Sequence, residues 1–168
     1  MSRMFALSGM RTITSLSAVV LLAGLVGCSS HKTVSVGDTT VTSDDGNKSM
    51  TVTTKEGTTT IGRNAVDVAK LGVPVYPGAV PGEGGFSFAA GNGNTQMVTL
   101  TTGDAFDKVA DWYKNRLGKD SEQMRVSNEN SSVAEYTIGA AGKGAPSAAI
   151  TITGKKDKTD IMIVKGTK

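Results

Sequence analysis

Few groups in this chain are suited to acid–base or nucleophilic chemistry. Histidine occurs once, as His31, and cysteine once, as Cys28. A catalytic histidine needs a rigid scaffold to hold its proton-transfer geometry, and His31 stands in a short polar stretch beside Cys28, so no Ser/His/Asp set is expected. A single cysteine permits neither an intrachain disulfide nor a cysteine-ligated metal cluster. Asp104, Asp107 and Asp111 fall at i, i+3 and i+7 of a helical pattern. They would lie near one helix face, as an ion site or acid/base pair, or simply as dipole-complementing and solvated charge. Asp44, Asp45 and Asn47 around Gly46 resemble part of a calcium loop. Counting from Asp44 puts Lys55 where the bidentate Glu is required, and counting from Asp45 loses the sixth-position glycine, so a solvated turn is expected. The glycine-rich stretch from Gly139 to Ser147 has Lys143 followed by Gly144 and then a strand, without the Ser/Thr and helix that a phosphate loop needs. Lys155, Lys156 and Lys158 make a basic tip that Asp157 and Asp160 dilute. Tyr76 and Trp112 are the candidates for a surface recognition patch, with core packing as the alternative. No catalytic residue, metal or cofactor is assigned.

The chain has 168 residues, enough for one ordinary domain, with 18 basic and 15 acidic residues. Arg3 and Arg11 are the only charges before Cys28, so the chain without that segment is close to neutral and its basicity is poor evidence for a nucleic-acid partner. After the two arginines comes an apolar run, Ile13 to Val26, of about 14 residues, short of the ~20 needed to span a bilayer but right for the apolar part of an export signal. It ends in Leu25-Val26-Gly27-Cys28.

That tetrapeptide resembles the lipobox of bacterial lipoprotein signals. The resemblance implies that residues 1–27 are a cleaved signal peptide and that Leu25, Val26 and Gly27 are read by the lipoprotein-processing enzymes. It implies that the Cys28 sulfur carries a diacylglycerol with acyl chains such as palmitate. Two or three chains anchor firmly where one holds marginally. Ser29, where an Asp would retain the protein on the inner membrane, implies sorting to the outer membrane facing the periplasm if the cell has two membranes.

Downstream, residues 28–32 read as a lipidated tether and residues 33–62 as Thr-rich β-hairpins. In these, 33–36 and 39–42 flank Gly37-Asp38, while 50–54 and 58–61 flank Lys55-Glu56-Gly57. Thr33-Val34 and Thr51-Val52 begin two similar units, a weak internal repeat. Residues 63–168 read as an α+β domain: a mostly antiparallel sheet of about six strands packed on one main helix and preceded by the hairpin region. Asn64 is expected to cap a short helix over 65–71. The main helix spans about 105–117, capped by Asp104, ended by Gly118, with Phe106, Val109, Ala110, Tyr113 and Leu117 on its apolar face. Phe86/Phe88 and Val98/Leu100 each mark one buried face of a hairpin.

The segments Val52–Gly62, Leu71–Ala79, Thr101–Asp104 and Val109–Leu117 resemble a group of uncharacterised bacterial lipoproteins. The resemblance supports this fold and carries no activity. The expectation is a non-catalytic, lipid-anchored binding or scaffolding module of the cell envelope, with an envelope protein or glycan as partner. The alternatives are a small carboxylate-dependent hydrolase using Asp104 with Asp107 or Asp111, and a carrier holding an apolar ligand between helix and sheet.

Overall fold

Alternation of β-branched and polar residues runs through most of the chain, and it builds one sheet. The computed structural model describes residues 31–46, 48–91, 93–128, 131–139 and 147–167. Four short strands come first: β1 (His31–Val36), β2 (Thr39–Asp44), β3 (Ser49–Thr53) and β4 (Thr58–Gly62). Then follow β5 (Val80–Ala90), β6 (Gly93–Thr102), the helix α1 (Phe106–Leu117), β7 (Glu122–Ser127), β8 (Ser132–Ile138), β9 (Ser147–Gly154) and β10 (Thr159–Thr167). The strands form a ten-stranded sheet ordered β1-β2-β3-β4-β5-β6-β10-β9-β8-β7, and every pairing in it is antiparallel.

This corrects the expected α+β fold of about six strands. The hairpins do not precede the sheet; they continue it, because β4 pairs with β5 from Thr58↔Ala89 to Ile61↔Phe86. Local periodicity could not reveal that pairing, since a 17-residue segment separates the two strands. With ten strands and one 12-residue α-helix among the described residues, the fold is β-rich. β1 also begins at His31, inside the stretch read as tether.

The core lies on one face and at one end of this sheet. Helix α1 lays Phe106, Val109, Ala110 and Tyr113 against Ala134, Tyr136, Ile150, Ile152, Ile161 and Ile163 of β8, β9 and β10. The segment from Arg63 to Ala79 supplies Val66, Leu71 and Tyr76 to the same core. Its only helical turn is 3-10, Val68–Lys70, where the Asp67 carboxylate accepts from the Ala69 N–H. The helix expected over 65–71 with Asn64 as cap is therefore replaced by a single turn capped by Asp67. Burying apolar surface at ~25 cal/mol per Å² makes this cluster the main source of stability.

Two further expectations are corrected. The N-cap of α1 is Ala105, without a side-chain cap bond, because the Asp104 carboxylate is taken by Tyr76 and Lys108. Phe86 and Phe88 do not face the core. Phe86 pairs with Met97, whereas the buried Val98 pairs with Gly85, so the two phenylalanines point away from α1. Phe88 is 39% exposed.

Candidate functional site

Cross-strand partners share a face, and the registers can be followed from strand to strand. On the face that carries α1 at one end, one row reads Thr33, Thr42, Thr51, Thr60, Ser87, Gln96 and Lys165 across β1 to β10. The next row reads Ser35, Thr40, Thr53 and Thr58. Each of the first four strands thus offers two hydroxyls two residues apart, uncovered by the helix. The hydroxyls are paired within hairpins: Thr33 with Thr42 at 3.3 Å, Ser35 with Thr40 at 3.1 Å, Thr51 with Thr60 at 3.1 Å and Thr53 with Thr58 at 3.4 Å. A hydroxyl has one donor and two acceptor lone pairs, so each pair keeps hydrogen-bonding capacity for a ligand. Strands ~4.8 Å apart repeat that pattern at a fixed spacing. The two rows over β1–β4 hold no charge. Such an array suits a neutral, hydroxyl-rich ligand that meets it along a line. The Thr-rich hairpins are legible one by one in the sequence, whereas the array emerges only when their registers are joined. The signal was there: Thr33-x-Ser35, Thr40-x-Thr42, Thr51-x-Thr53 and Thr58-x-Thr60.

The titratable candidates are built into two straps instead. At the first, Tyr76 Oη donates to Asp104 Oδ2 at 2.7 Å and Lys108 Nζ donates to Asp104 Oδ1 at 2.8 Å. Thr159 Oγ1 donates to the Asp104 carbonyl at 2.7 Å. Asp104 therefore ties segment 63–79, the start of α1 and the start of β10 together. The Lys108 bond, with that of Tyr76, holds the Asp104 carboxyl below the ordinary carboxylate range. Burial first, and the Asp104 bond second, push the Tyr76 phenol up. At the second strap, Arg125 Nη1 donates to Asp111 at 2.7 Å and Nη2 to Tyr136 Oη at 3.0 Å, while Tyr136 Oη donates to the Ala110 carbonyl at 2.8 Å. Burial opposes the Arg125 charge, but the bonds to Asp111 and Tyr136 outweigh it, and the guanidinium is held above its usual range. Asp104 and Asp111 thus sit in different straps, each against its own cation, and Asp107 is exposed.

Tyr76 is 4% exposed and belongs to the core. Trp112 is half-buried and edge-on to both Tyr76, at 5.4 Å between centroids, and Tyr113, at 4.8 Å. The two residues proposed as a surface patch are brought together, as a clamp joining segment 63–79 to α1. At the basic tip, Lys155 and Lys158 both pair with Asp160. Near the other end of the sheet, His31 pairs with Asp44 at 3.6 Å. Among the described residues no group of three or more His, Cys, Asp or Glu is placed to hold a metal ion, and no helix is long and apolar enough to cross a membrane. Leu25, Val26, Gly27, Cys28, Ser29, Asn47 and Lys143 lie outside the described residues.

Comparison with protein-family models, with curated proteins and with solved structures finds no match to this chain.

Proposed function

We propose that this chain is a lipid-anchored lipoprotein of the cell envelope, a non-catalytic module that binds or scaffolds through the hydroxyl face of β1–β4. Leu25-Val26-Gly27-Cys28 behind an apolar run supports the anchor. The observation that carries the binding reading is the uncharged double row from Thr33 and Ser35 to Thr60 and Thr58. A cell-wall or surface glycan is the ligand that fits, because its repeating hydroxyls match a repeating array of hydroxyls. The straps at Asp104 and Arg125 support a structural rather than a catalytic use of the carboxylates, since each carboxylate there bonds a partner in another element.

The test is co-sedimentation of the purified chain with isolated envelope glycan, with Thr42→Val, Thr51→Val and Thr60→Val combined. Valine keeps the branched shape and strand preference but removes the hydroxyl. Retention is expected to fall at least tenfold while thermal unfolding stays within a few degrees. Undiminished retention in the triple variant overturns the glycan reading. Intact mass of the envelope-extracted chain tests the anchor: it should begin at residue 28 and carry a diacylglycerol.

A further inference from the structure

Over β1–β4 the opposite face of the sheet is the more apolar one. The nine large apolar side chains that the described residues leave exposed all stand there, on the side away from α1. Over β1–β4 its rows read Val34, Val41, Val52, Thr59 and Lys32, Ser43, Met50, Ile61, with Val36 beside Thr39 at the β1–β2 turn and Phe88 next to Thr59 at the rim on β5. Val34 is 52% exposed and Ile61 47%. These four strands contribute no residue to the buried core. They form one layer whose α1 side carries the paired hydroxyls and whose other side carries Val34, Val36, Val41, Val52, Met50 and Ile61 interspersed with Thr39, Ser43 and Thr59, which is the strand counterpart of an interfacial amphipathic helix.

We propose that the aliphatic face of β1–β4 lies on the surface of the bilayer that holds the Cys28 lipid, leaving the hydroxyl face toward the aqueous side. This rests on the anchoring reading above. Only three residue steps separate Cys28 from His31, the first residue of β1, and at ~3.3–3.6 Å per residue the strand starts at most ~11 Å, Cα to Cα, from the lipidated cysteine. The tether makes the contact intramolecular, so a modest apolar patch is held at high effective concentration against lipid. Lys32, on the same face and nearest the anchor, places its charge at headgroup level, where it can meet anionic lipid. Paired strands bring no unsatisfied ladder groups to the interface except along the outer edge of β1, which stays in the wet headgroup region. Adjacent strands rotate by roughly 20–25°, so a flat bilayer cannot follow the whole sheet, and β7 at the far end is turned away.

Met50 on β3 and Met124 on β7 share this face, and each is 41% exposed. They permit a test on the unmodified chain. The lipidated protein is reconstituted into phosphatidylcholine–phosphatidylglycerol vesicles and treated with peroxide, and sulfoxide at each methionine is followed by mass spectrometry. Docking predicts that Met124 oxidises while Met50 is protected. A second measurement uses Ile61→Cys and Thr51→Cys, each labelled with an environment-sensitive dye, in vesicles of bromine-labelled lipid. The dye at 61 should lose most of its emission and the dye at 51 should keep it. Equal oxidation of the two methionines, with both dyes equally bright in a chain that floats with vesicles, overturns docking alone. A chain that carries no lipid and does not float overturns anchoring, and docking with it. Protection of Met50 with doubled mass and no quenching by bromolipid assigns the face to a second copy and likewise overturns the proposal.

Discussion

Alkaline titration of the core tyrosine Tyr113 offers a quantitative test of how the helix is seated. The residue is fully buried between α1 and the sheet, against Trp112 and Tyr136. Burial pushes its phenol from 10.0 up to about 12. The folded pKa is raised, so the neutral phenol is favoured in the fold. The stability linked to it is fully present below pH 10 and is lost as pH climbs toward the folded value. A shift of about two units corresponds to about 2.7 kcal/mol once both states are ionised, and at pH 11 about 1.4 kcal/mol of it is already gone. Urea unfolding followed by Trp112 fluorescence at pH 8 and pH 11 measures the loss. Tyr76 and Tyr136 are raised as well, and burial is the leading cause in both, so the wild type alone does not isolate Tyr113. The comparison with Tyr113→Phe does: the variant should lose about 1.4 kcal/mol less between the two pH values. Parallel losses in the two proteins would mean that Tyr113 ionises as readily folded as unfolded, and the burial argument would fail.

Three further outcomes follow from the packing. Leu100→Ala should cost ~2–5 kcal/mol because its side chain lies in the core, whereas Phe88→Ala on the outer face should cost far less; similar losses in urea unfolding would refute the assignment of faces. A Cβ at Gly154 would stand 2.9 Å from the Cβ atoms of both Phe106 and Ser132, neither of which can swing aside. Gly154→Ala should therefore cost ~1–3 kcal/mol and lower the melting temperature, and an unchanged melting curve would count against so close a seat for α1. The bonds from Lys108 and Tyr76 depress the Asp104 pKa, so their stabilisation is present above pH 3.8 and lost as pH falls through the folded value. Asp104→Asn should flatten the acid limb of the stability profile, and a limb identical to that of the wild type would show that the strap does not depend on ionisation.

Where turn chemistry is local, the structure could be read in the residues. Gly37, at φ 59°, makes the two-residue β1–β2 turn, and Gly118, at φ 91°, ends α1. The helix boundary came within one residue because Phe106, Val109, Ala110 and Tyr113 repeat on one face. Three features were not legible, each for a distinct reason. Alternation tells which side chains share a face but not which face is covered, so it points Phe86 and Phe88 to the core, whereas glycine at 85 is the residue that faces Val98. Capping preference is local, but Tyr76, 28 residues upstream, competes for the Asp104 carboxylate. The β4–β5 pairing is non-local and decides the fold class. The hydroxyl rows needed only the register between hairpins, and the Thr-x-Thr spacing on successive strands held that information.

Helix length explains why the sheet has two unlike ends, and the explanation can be tested. Twelve helical residues at ~1.5 Å each reach about 18 Å, whereas ten strands at ~4.8 Å spacing span about 43 Å. Helix α1 can therefore cover only the strands from β10 to β7, and segment 63–79 reaches the neighbourhood of β6, where the Leu71 carbonyl accepts from Lys165 of β10. Among the described residues none is left to cover β1–β4, and their side chains suit that: the hydroxyl side tolerates water, and the more apolar side calls for an external surface. A chain reduced to residues 63–168 keeps every residue of the core cluster. It should unfold cooperatively within a few degrees of the parent, yet associate at higher concentration, because β5 becomes a bare edge beside Phe86 and Phe88. Calorimetry and light scattering read the two effects separately. If the truncated chain instead loses its cooperative transition while still monomeric, the first four strands are part of the folding core, and the division of the sheet into a packed end and a surface-bound end is wrong.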